Sequence, residues 1–106
     1  MSEEAICHAA RVWVWRAHDK GAWHFVTLDG AAGEALSATA LMRKLELGKR
    51  SGFGSLKVEA LVGESRWRTS VFPDKTRGWL LPLKAAVRKA EGIGEGDLVQ
   101  LALTPL

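Results

Sequence analysis

Apolar and polar positions alternate with a period of two through much of this chain, the signature of strands with one covered face. In "AARVWVWRA", residues 9–17, Arg11, Trp13, Trp15 and Ala17 share one face and Val12, Val14 and Arg16 the other. β-branched and aromatic enrichment makes this a strand. "HDKG", residues 18–21, supplies turn chemistry, with Gly21 free to take a positive φ. "AWHFVTL", residues 22–28, is the return strand, apolar on both faces.

The period then changes. Asp29 is placed to cap a helix over 31–47, with Ala31, Ala35, Ala38, Met42 and Leu45 on one stripe, Arg43 and Lys44 in the last turn, and Gly48 as its end. "GKRSGFGS", 48–55, is a basic, glycine-rich loop. Alternation returns in 56–62 and, past a Gly63–Glu64 turn, in 65–72, which Pro73–Asp74 should stop. "WLLPL", 79–83, is a short apolar strand. A second helix, 84–91, follows Pro82, and "LVQLALT", 98–104, closes the chain as a strand. The order β β α β β β α β, about six short strands with two brief helices, predicts a mainly β, single-domain fold. One small sheet curls into a closed or partly open β-barrel over 1–106 and hides its edges.

The segments "RSGFGSLKVEALVGESRWRTSVFP" and "GWLLPLKAAVRKAEGIGEGDLVQLAL" closely resemble a bacterial family described only as a domain of unknown function. The likeness extends back through "AWHFVTL" and is carried most strongly by Gly52, Phe53, Gly54, Trp67, Thr69, Ser70, Phe72, Pro73, Pro82, Lys84, Gly96 and Asp97. Members of that family look like small β-barrels, and some carry a companion domain of the YdeI/OmpD-associated, bacteriocin-protection type, which is not read here. The resemblance implies the fold and brings no activity, substrate or cofactor. Function has to come from sites.

Composition narrows the classes. At 106 residues, 47% apolar and 25% charged, the chain suits one ordinary core. No apolar run approaches the ~18–20 residues of a membrane span. The acidic start "MSEEAICHAARV" is unlike a secretory leader, and a lone Cys7 excludes an internal disulfide. The expected location is cytoplasmic. Net charge is only +3, yet residues 43–89 hold twelve Lys/Arg against four acids, a local +8 that leaves −5 elsewhere. Such asymmetry predicts a basic face attractive to anions or nucleic acid.

"SRWRTSVFP", 65–73, is the most informative stretch. Trp67, Thr69 and Val71 point one way; Arg66, Arg68, Ser70 and Phe72 point the other. Trp67 is expected to anchor the core while Arg68 and Ser70 offer donors to an anionic oxygen. Lys84 and Arg88, four apart, share a helix face. Together with Arg50 and Phe53 of the loop, these residues form the expected ligand-binding set: Arg50, Phe53, Trp67, Arg68, Ser70, Lys84 and Arg88. Five Trp and no Tyr predict indoles turned into the barrel, chiefly as core.

No catalytic, metal or cofactor site is read. "GFGS" and "GIGEG" lack a nucleotide-binding context, Cys7 and His8 are adjacent without zinc-ligand spacing, and Ser70 with His24 lacks a nucleophile elbow. The expectation is a non-catalytic domain binding a small anionic or aromatic ligand at a basic rim. Nucleic-acid binding through residues 43–89 and a protein-interaction role are the alternatives. Oligomeric state is not legible.

Overall fold

A computed structural model of the chain describes residues 5–19, 21–47 and 54–106. Gly48, Arg50 and Phe53, named above as a helix end and as binding residues, lie outside them. The elements are β1 (Ile6–Ala17), β2 (Gly21–Leu28), α1 (Gly30–Leu47), β3 (Leu56–Val62), β4 (Ser65–Asp74), β5 (Gly78–Pro82), α2 (Ala85–Glu91) and β6 (Leu98–Pro105). All six strands join antiparallel in a closed barrel of order β1-β2-β5-β4-β3-β6. The predicted element order stands, with β1 three residues longer at its start and β4 continuing through Pro73 to Asp74.

Alternation decides what fills the barrel. Val26, Leu28, Val58, Ala60, Val71, Leu81 and Leu103 are fully buried, joined by Val12, Leu56, Val62, Val99 and Leu101. Aliphatic side chains therefore dominate an interior just wide enough to be filled by side chains. Of the five indoles only Trp67 and Trp79 belong to this core. The expectation of an indole-lined interior is corrected: Trp13, Trp15 and Trp23 occupy odd positions whose even neighbours Val12 and Val26 set the inward phase. Trp15 and Trp23 are each about half exposed.

α1 follows Asp29, whose carbonyl accepts the first helical N–H, from Gly33, at 3.1 Å. The Asp29 carboxylate lies 3.6 Å from His8 Nε2, which also meets the Thr27 carbonyl at 2.9 Å. The stripe expected to pack is corrected as well. Ala31, Ala38, Met42 and Leu45 are exposed, and the helix instead buries Ala32 and Leu36 against the barrel. Trp79 fixes this docking by donating its Nε1–H to Ser37 Oγ at 3.0 Å. Ala-rich helices carry little amphipathic contrast, so one Leu at the right angle outweighs a longer run of weakly apolar positions.

Candidate functional site: a notch where a strand stops

β5 has five residues, whereas β2 has eight and β4 ten. β2 pairs with β5 from Leu28↔Trp79 to Phe25↔Pro82, and β4 pairs with it only over Phe72–Asp74. Pro82 has no N–H to extend the ladder. One further backbone bond, Leu83 N–H to the His24 carbonyl at 2.9 Å, holds the departing chain, which then turns into α2 through an extended Lys84. Ala22–His24 of β2 and Trp67–Thr69 of β4 are thus left facing each other across a gap. Ala22, two residues from His24, points its own N–H and C=O into that gap, as antiparallel strands require.

The gap is a cleft of about 330 Å³ lined by Trp23, His24, Trp67, Arg68, Lys84 and Arg88, with Ala22, Thr69, Pro82, Leu83 and Ala85 completing its walls. Register explains the gathering. Continued two pairs beyond Pro82, the ladder sets Lys84 between Trp23 on one side and Arg68 on the other. Arg88 is held from below, its Nε–H donating to the Leu83 carbonyl at 3.1 Å.

The electrostatics of the cleft are lopsided. Among the described residues, no carboxylate lies within ion-pair distance of Arg68, Lys84 or Arg88; the cationic partners that do have one are Arg16 with Glu95, Arg66 with Glu59 and Arg77 with Asp74. His24 registers the excess. Burial first, then the Arg88 and Arg16 guanidinium groups, hold its pKa below the ordinary histidine value, with Glu95 opposing. Its Nδ1 is sealed from solvent and has no hydrogen-bond partner among the described residues. The ring is therefore neutral near pH 7 and sits in a positive field.

Of the seven residues expected to bind, the structure brings four together: Trp67, Arg68, Lys84 and Arg88. Ser70 stands on the outer wall, one row away between Lys57 and Pro82, and does not line the cleft. It also points away from inward-facing His24, which separates the two as a catalytic pair. Trp23 and His24 were missed as site residues. The signal that finds them is the five-residue length of the strand ending at Pro82, which leaves the preceding hairpin strand without a neighbour. Among the described residues no three His, Cys, Asp or Glu side chains gather as a metal site, and no helix is long and apolar enough to cross a membrane.

None of the curated proteins matches the chain. A family match covers residues 9–103, from the first alternating strand to the last, including every wall of the cleft. On that extent the chain belongs to the DUF1905 family, a domain of unknown function.

Proposed function

We propose that this barrel is a binding module for a small ligand that carries an anionic group on a planar ring. The observation that carries the reading is the convergence on one cleft, walled by Trp23 and Trp67, of three cations that have no carboxylate partner among the described residues: Arg68, Lys84 and Arg88. Charge-assisted hydrogen bonds to carboxylate or phosphate are about twice as strong as neutral ones, and Arg presents two parallel donors to such a group. Half-exposed Trp23 offers a ring face beside those donors. A volume of about 330 Å³ lies at the lower end of small-molecule sites, suited to one or two rings.

The test is titration of intrinsic Trp fluorescence and heat release with aromatic carboxylates, nucleoside monophosphates and their neutral counterparts. Saturable binding of the anions, weakened at least tenfold in an Arg68→Ala, Lys84→Ala double variant, is expected. Equal binding of neutral and anionic forms, or no binding at millimolar ligand, sinks the proposal.

A further inference from the structure

The cleft opens onto an outer wall with two unlike banks. Side chains that point outward from β1 and β2 are Trp15 opposite Trp23 and, one row on, Trp13 opposite Phe25. Beyond them the rows continue through Lys84 to Arg68, and through Pro82 and Ser70 to Lys57. One bank is therefore aromatic, and the other carries hydroxyl and cationic groups. Rows two residues apart on a strand are spaced by about 6.7 Å.

The aromatic bank is available to a partner. Trp15 is 54% and Trp23 52% exposed, values unusual for indoles placed side by side on a closed barrel. Trp13 is fixed by Phe25, with ring centroids 5.1 Å apart, and by donation of its Nε1–H to Thr27 Oγ1 at 2.8 Å. Its open face is covered by the Arg77 guanidinium at 4.7 Å, itself a flat surface on which a base can stack. On the opposite bank Glu59 is the cross-strand neighbour of Arg68, and its Oε1 lies 3.4 Å from the Arg66 guanidinium.

We infer that this wall is a track for a single-stranded nucleic acid, with bases on Trp15, Trp23 and the Trp13–Arg77 stack and phosphates along Lys84, Arg68 and Lys57. The inference rests on the preceding reading of the cleft, which would hold one nucleotide of the strand. Complementarity selects this occupant. Sequence-tolerant single-strand sites combine aromatic platforms with a cationic line that follows the backbone. A neutral sugar chain would leave the cations without use, and a lipid surface would find the indoles beside charge on a curved, narrow wall. The indoles come from residues 13–25, whereas Arg77 and the three phosphate contacts come from the basic stretch 43–89 in which the sequence placed this activity.

The experiment compares thymidine 5′-monophosphate with fluorescein-labelled oligothymidylates of increasing length by anisotropy, with heparin as a base-free polyanion. Affinity is expected to rise with length and then level off. Trp15→Ala should weaken the oligonucleotides about fivefold or more while leaving the mononucleotide unchanged. Three phosphate contacts predict a log–log salt slope of about −2, made shallower by about 1.4 in the Arg68→Ala, Lys84→Ala variant. Trp15→Leu, which keeps apolar cover on the sheet, separates lost stacking from lost folding and should behave like Trp15→Ala. Mononucleotide binding with no gain from length overturns the track and leaves the cleft reading standing. Oligonucleotide binding without mononucleotide binding overturns the cleft as a small-ligand site and with it the seat from which the track is argued, and binding to neither removes both. Heparin binding as tightly as the oligonucleotides, with Trp15→Ala indifferent, also overturns the track.

Discussion

Among the described residues, two depressions on the wall of this barrel differ sharply in chemistry. The notch beyond β5 encloses about 330 Å³ and is ringed by Arg68, Lys84, Arg88 and two indoles. The other, about 450 Å³ over β1, β6 and β3, is lined by Cys7, His8, Ala9, Leu61, Gly63, Gln100, Leu101 and Ala102. The second arises because small residues, Ala9 and Ala102, leave the sheet surface low. The first arises because a strand ends and its neighbours do not. A missing strand exposes backbone groups and the flanks of two strands at once, whereas small side chains expose only a shallow floor. The larger depression is the one without the cluster of cations.

That contrast can be broken in order of size. Both walls depend on one core, so Leu81→Ala should cost about 3 kcal/mol by urea denaturation and disturb both depressions together, since Leu81 of β5 is fully buried in that core. Loss confined to one face would mean the barrel does not act as a unit. Next, the Arg68→Ala, Lys84→Ala variant should lose about 2–3 kcal/mol of anion affinity, while its unfolding midpoint stays within about 0.5 kcal/mol of the parent. Gln100→Ala in the other depression should change neither quantity.

Gly63→Ala sharpens the structural side. Gly63 takes a φ of 59° in the β3–β4 turn, and a Cβ there would meet the Glu91 carboxylate that accepts the Ser65 hydroxyl at 2.6 Å. A loss of about 1–2 kcal/mol is expected, with anion affinity unaffected.

A smaller effect comes from pH. His24 has a folded pKa lower than its unfolded value near 6.5, so the unfolded chain takes up the proton first. Its contribution is complete above about pH 6.5 and is lost as pH falls from there toward the depressed folded pKa. Melting temperature between pH 8 and 5 should therefore decline on the acid side, and His24→Gln should flatten that decline. An unchanged slope would show that burial and the Arg88 and Arg16 guanidinium groups do not depress this ring's pKa. Smallest of all, exposed Cys7→Ser should shift stability by less than about 0.5 kcal/mol.

The legible part of the site was the strand phase at 65–73. Alternation alone put Trp67 inward and Arg68, Ser70 and Phe72 outward, and each lies where that phase requires. Lys84 and Arg88 were read as one helical face, and that is corrected: Lys84 stays extended ahead of α2 and continues the β5 ladder, while only Arg88 lies on the helix. What misled was treating aromatic content as core content. Trp13 and Trp15 share a face with Arg11, and that arginine already marked the face as outward. The helix stripe misled for a related reason: in 31–47 nearly every position is small or apolar, and periodicity cannot choose a face when the contrast is weak.

Local pattern along the chain carried the six strands, the two helices and the inward phase of β3 and β4, but not the inward phase of β1 and β2, where indoles were expected inside and Val12, Val26 and Leu28 are found. These follow from local periodicity and turn chemistry, which act over a few residues. Tertiary structure decided which strands became neighbours, that β5 falls short of both its partners, and hence that Trp23 and His24 meet Arg68, Lys84 and Arg88. Such meetings join positions more than forty residues apart through register, and register is a property of pairs of strands that no single stretch of chain carries.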